Sequence, residues 1–166
     1  MSTPIVSPAA RRPTAEAVVY RYTAIATATG AVPIPATSAA IIAESVAMVN
    51  EIAGCFGVPI SVQTVVGSMG LIGTVNAVGR GIFVEAARAM GWFAGPAGVA
   101  GVSVLGAATA GIQTFVLGFL AVAIAENGGQ SLPPPQARTV IAAARREYDQ
   151  ADWDRSPERE KAPIKR

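Results

Sequence analysis

The stretch VAGVSVLGAATAGIQTFVLGFLAVAIA, residues 99–125, decides how this chain is read. It contains no formal charge and no proline. Its small residues recur at helical spacing: Gly106, Ala110, Thr114 and Gly118 follow one another every four positions, and Ser103, Ala107 and Gly111 form the adjacent row. As a helix the segment extends roughly 40 Å, longer than a bilayer core of about 30 Å. Ridges of small residues let helices approach closely in lipid, where van der Waals packing drives association without a hydrophobic effect. The segment is therefore expected to be the best membrane-spanning candidate, with Gly106, Ala110, Thr114 and Gly118 as helix-packing positions.

Both ends of the stretch are marked. Glu126-Asn-Gly-Gly129 closes it, and the glycine-rich run 91–98 around Pro96 precedes it. Before that break, Ser61 is placed to cap a helix running to about residue 90, with Arg80, Glu85 and Arg88 in its last turns. Glycine costs a helix about 1 kcal/mol relative to alanine, so Gly67, Gly70, Gly73, Gly79 and Gly81 need a reason, and close helix packing supplies one. Gly67, Gly70 and Gly73 are accordingly expected at helix contacts.

Further back, Thr37 or Ser38 caps a helix over Ala39–Phe56, with Gly57 as a left-handed terminator and Pro59 just beyond. Glu44 and Glu51, seven residues apart, give it one narrow polar stripe. Pro33 and Pro35 remove two backbone donors and push Val32 and Ile34 out of the α region, which makes a firm helix break. A first helix is expected over 14–31, capped by Thr14 with Glu16 in its first turn, after a flexible leader at 1–13. At the other end, residues 131–150 read as a proline-led amphipathic helix with Val140, Ile141, Ala144 and Tyr148 on one side. The charged tail 151–166 is expected to be disordered.

The fold class is thus all-α: a Gly- and Ala-rich bundle of about four apolar helices, over 14–130, plus a short amphipathic C-terminal helix. Composition narrows the function. Half the residues are apolar and 14% are charged, against about 25% in ordinary soluble domains. Within 23–125 the only charges are Glu44, Glu51, Arg80, Glu85 and Arg88. No basic stripe exists there to release counterions from a nucleic acid. No Gly-x-x-x-x-Gly-Lys-Ser/Thr loop occurs and the body holds no lysine, so nucleotide is not bound by that route. Histidine is absent and Cys55 is the single cysteine, which excludes Ser-His and Cys-His nucleophiles and the usual zinc ligand sets. No cofactor, metal site or catalytic residue is expected.

An ionisable residue at membrane depth is costly, so Glu44 and Glu51 stand out as intramembrane charges. They line an ion path, or else face solvent or pair with arginines of the 80–88 stretch. Helices shorter or more Gly-interrupted than 99–125 suit a re-entrant hairpin as well as a complete span, and the Pro33/Pro35 corner suits that arrangement. Arg11, Arg12 and Arg21 at one end and Arg145 and Arg146 at the other put both termini in the cytoplasm, with an even number of crossings.

Ala-Val-Pro-Ile-Pro at 31–35, Met48-Val-Asn-Glu-Ile52, Phe56-Gly-Val-Pro-Ile-Ser61, Thr114-Phe-Val-Leu-Gly118 and Ala-Ile-Ala-Glu-Asn-Gly at 123–128 follow in a familiar order. In these the chain resembles the YcjF-type, GTPase-associated bacterial domain of unknown function, over about 22–144. The resemblance implies a helical module at the bacterial inner membrane, working with a separate GTPase chain and carrying no catalytic residues. The chain departs from that pattern after Pro35, where Ala36-Thr-Ser38 replaces a common acidic residue. The expectation is a membrane-embedded or membrane-associated anchoring and interaction module, with the lipid bilayer and further copies of itself as partners. A soluble self-assembling, shell-like homo-oligomer and a pore-former are the alternatives.

Overall fold

The computed structural model describes residues 8–32, 37–68 and 95–154. Among them the chain forms five helices and no strand: α1 (Pro8–Gly30), α2 (Thr37–Phe56), α3 (Val62–Ser68), α4 (Gly95–Glu126) and α5 (Pro134–Asp154). The fold is all-α, as the periodicity requires.

Local chemistry explains most of the boundaries. Gly57 takes φ 69°, and Val58 N–H bonds back to Ala53 O at 3.2 Å, so α2 ends in a left-handed cap as expected. Gly128 and Gly129, at φ 71° and 82°, end α4 in the same way, with Gly129 N–H on Ile124 O at 2.9 Å. Ser61 Oγ accepts from Thr64 N–H at 3.1 Å and caps α3. α3 is described to Ser68; its expected continuation, with Gly70, Gly73, Arg80, Glu85 and Arg88, lies outside the described residues.

Four boundaries differ from expectation. α4 begins at Gly95, inside the run 91–98 read as a break, with Pro96 in its first turn. α1 begins at Pro8, inside the stretch read as a flexible leader, and carries Pro13 within it. Proline so near a helix start loses only one backbone bond, and the two side chains just before Pro13 tie the early turns to the rest. Arg11 Nη1 donates to Phe56 O at 2.5 Å, at the negative end of α2, and Arg12 reaches Glu16 at 2.7 Å and Glu126 at 3.3 Å. Thr14 is therefore an interior residue, and Glu16 is an i,i+4 partner of Arg12 instead of a first-turn anion. α5 starts at Pro134, because prolines fit a first helical turn. It runs on to Asp154, so the start of the expected disordered tail is helical.

α1 and α4 form the central antiparallel pair. Gly30 meets Gly106 and Ala110, Thr27 meets Gly111, Val19 meets Gly118, and Arg12 meets Glu126. α2 lies antiparallel to α1, with Glu44 opposite Thr29 and Glu51 opposite Arg21. It follows that α2 and α4 run parallel. α5 packs along α4 through Tyr148, Ala144 and Ala137, while α2 packs on α1 and α4. The core they enclose is built on Phe115, Met48, Ile52, Leu120 and Ile124, all fully buried.

Candidate functional site

The packing ridge predicted on α4 is real, and it is used within the chain. A Cβ on Gly30 would stand 2.6 Å from Ala110 Cβ and 2.7 Å from Gly106 O, and one on Gly106 would strike the Gly30 carbonyl oxygen. Gly118 has Val19 Cγ1 at 2.7 Å from the place its Cβ would take, with Met48 Sδ behind it at 3.1 Å. Ala110 and Thr114 are buried between these two contacts. Gly67 is a correction: it is exposed, with open space where a Cβ would go, and makes no helix contact.

The hairpin of α1 and α2 places the two carboxylates. Glu51 pairs with Arg21 at 2.5 Å, both exposed. Glu44 Oε1 accepts from the Thr29 hydroxyl at 2.8 Å, while its Oε2 is buried without a hydrogen-bond partner among the described residues. The described partners of both are thus on α1; the 80–88 stretch lies outside the described residues. The Thr23 hydroxyl is likewise buried and unpartnered. The hydrogen bond to Glu51 raises Arg21 above the usual guanidinium range, and that to Glu16 does the same for Arg12 against partial desolvation. Neither arginine loses its charge at any ordinary pH.

A buried carboxylate oxygen with one hydroxyl partner on its neighbour makes a testable pair. Thr29→Val leaves Glu44 with no donor and is expected to cost about 1–3 kcal/mol in denaturant titration. Combining it with Glu44→Leu is expected to recover most of that, because replacing both members removes the unpaired group. A double variant as unstable as the single one would show that the hydroxyl acts by packing alone.

Among the described residues two helices are long and apolar enough to cross a membrane: Ala39–Phe56, with mean hydropathy 1.5, and Gly106–Glu126, with 1.9. They differ in how the bundle treats them. The α4 window is 61% buried inside the chain, whereas the α2 window is 28% buried. Because α2 and α4 run parallel, they cannot be the two arms of a two-crossing hairpin. On the α2 side stand the exposed large hydrophobic residues of the described part: Ile42 at 65%, Val32 at 46%, Ile25 at 41% and Val46 at 40%.

Sequence reading missed three contacts that position this surface: Thr29 on Glu44, Arg21 on Glu51, and the Tyr20 hydroxyl donating to Glu147 at 2.6 Å. The first two had a signal, since folding the chain about the Pro33/Pro35 corner sets 29 against 44 and 21 against 51. The third joins α1 to α5 across most of the sequence and had none. Among the described residues no group of three or more His, Cys, Asp or Glu side chains is placed to hold a metal ion. Cys55 is a half-buried free thiol packed against the core. Comparison with protein-family models, with curated proteins and with solved structures finds no match for this chain.

Proposed function

We propose that this chain is a membrane-associated, non-catalytic anchoring and interaction module of a bacterial inner membrane, with both termini on the cytoplasmic side. The observation that carries the reading is α2: a helix apolar enough to cross a bilayer, only 28% buried in the bundle, with Ile42 and Val46 exposed. Exposed contiguous apolar surface on a small chain marks a lipid or protein interaction site. The lack of histidine and of a nucleotide loop in the sequence supports a role without chemistry of its own. The YcjF-type resemblance supports a separate GTPase chain as the partner recruited, with α5 as the exposed charged helix available to it. Carbonate extraction of native membranes is expected to leave the protein in the pellet. Release of most of it into the supernatant would rule the reading out.

A second reading has its own support. The outer faces of α1 and α5 carry exposed Arg12, Arg21, Arg138, Arg145 and Arg146, and the most hydrophobic helix, α4, is largely covered by them. Those features suit a soluble helical homo-oligomer. A monodisperse large particle purified without detergent would favour it.

A further inference from the structure

α5 holds to the bundle by one face. Ala137 and Ala144 are buried, and Val140, Ile141 and Tyr148 are partly so, the spacing of an amphipathic helix laid in a groove. The opposite face, with Arg138, Ala142, Arg145, Arg146 and Asp149, is exposed. The groove lies between α1 and α4. Tyr20, Phe115 and Phe119 pack ring against ring along it, and Tyr148 closes on Phe115 at 5.5 Å. Gly111 is the seat of Tyr148: a Cβ there would stand 2.5 Å from the Tyr148 hydroxyl oxygen and 2.5 Å from Thr27 Oγ1. α1 meets α5 through Tyr20 but meets α2 through Arg21 and Thr29, so α2 covers another side of the bundle.

The root of α5 is built against this placement. Leu132 is fixed, its side chain buried and its N–H donating to Ser68 Oγ at 3.2 Å. Three prolines follow it. Leu132, Pro133 and Pro134 each precede a proline, and each is thereby biased away from the α region to extended polyproline backbone. Yet α5 begins at Pro134, with Ala137 N–H on Pro133 O at 3.0 Å, so Pro134 holds a helical conformation that Pro135 opposes. Local preference directs the helix away from its own groove, while the aromatic side chains of the groove require a cover. We infer that α5 is exchanged between two copies of the chain, each filling the α1–α4 groove of the other in a two-fold symmetric dimer. Exchange re-forms between copies every contact that closes the groove within one, and an extended joint removes the conflict at Pro134. The occupant is a second copy because the groove is shaped to this helix, with Gly111 leaving room for Tyr148 and the Tyr20 hydroxyl donating to Glu147. The exposed face of α2 takes no part, so the inference goes beyond the membrane reading and does not depend on it.

The test co-expresses two full-length variants with opposite defects and tags of different mass. Gly111→Ala fills the seat of Tyr148, and Tyr148→Ala removes the ring that sits there. Both chains also carry Thr27→Ala, so that the added methyl meets Tyr148 alone. In a dimer of either variant by itself, both grooves are faulty. In a mixed exchanged dimer, the groove of the Tyr148→Ala chain receives the intact helix of the Gly111→Ala chain, and in the other groove the added methyl meets no ring. Native mass spectrometry is therefore expected to show mixed dimers well above their statistical share of about one half. Hydrogen exchange over residues 134–150 is expected to regain protection in the mixture and in neither variant alone. Pro134→Ala with Pro135→Ala, which lifts the opposition to the closed helix, is expected to shift the otherwise wild-type chain from dimer towards monomer. A wild-type chain that is monomeric at every concentration overturns the inference. So do mixed dimers at the statistical share, which place the contact on another face such as exposed α2. Protein that forms exchanged dimers but is released by carbonate defeats the membrane reading and leaves the exchange standing.

Discussion

Gly106→Ala is expected to lower the free energy of unfolding by about 3 kcal/mol or more, the upper end of what overpacking costs. The added methyl would meet the carbonyl oxygen of Gly30, which is backbone and has no rotamer to change. Retreat of α1 is blocked along the same ridge, where Val19 fits over Gly118, and by the Arg12–Glu126 ion pair at the far end. Alanine's better helix propensity offsets only about 1 kcal/mol of this, so the steric cost wins. Gly67→Ala is the matched control: also helical, but with open space around the new methyl, it is expected to raise stability by about 0.5–1 kcal/mol. Chemical denaturation of the two variants beside the parent decides the matter. Equal effects of the same sign would mean that α1 and α4 do not cross at Gly30 and Gly106.

The contrast between Gly106 and Gly67 shows where sequence stops informing. Both belong to glycine-rich helical stretches, and spacing alone assigns both to packing. The row 106, 110, 114, 118 repeats every four residues through a helix buried on most sides, so it had to meet some neighbour. The described part of α3 has one exposed side, and Gly67 falls on that side. Helix ends were legible because their chemistry is local: Gly57, Ser61 and Gly128-Gly129 cap where the sequence puts them. The start of α1 was not, because Pro13 reads as a boundary. What carries the helix past it is Arg11 on Phe56 O and Arg12 on Glu126, contacts across 45 and 114 residues.

For the site, the two carboxylates were legible as exceptions in an uncharged body, but the partners they have on α1 were not foreseen. The parallel course of α2 and α4 changes more. A hydropathy reading treats each apolar segment as an independent candidate to span, and makes residues 99–125 the strongest. In three dimensions the strongest segment is the core helix, screened by α1 and α5, and the outward-facing apolar surface belongs to α2 and the corner that precedes it. Burial depends on neighbours, and the neighbours of α4 come from both ends of the chain.

Phe115→Ala is expected to cost about 3–5 kcal/mol, as for other fully buried aromatics, and to act unequally across the bundle. The Phe115 ring joins three helices: it meets Tyr20 of α1 edge-on at 5.3 Å, Tyr148 of α5 at 5.5 Å, and Phe119 of its own helix at 4.7 Å. On the α5 side the remaining anchors are the Tyr20–Glu147 hydrogen bond, buried Ala137 and Ala144, and the partly buried Val140 and Ile141. On the α2 side Met48, Val49 and Ile52 stay packed against Leu120 and Ile124 whatever happens at position 115. Hydrogen exchange followed by mass spectrometry should therefore show residues 134–150 losing protection before 37–56. Phe115→Leu, which keeps most of the volume but not the ring edges, is expected to lose about 1–1.5 kcal/mol with the same order of opening. Equal loss of protection over α2 and α5 would mean that the bundle opens as one unit, and that α5 cannot be released to a partner while the α1–α2 corner stays folded.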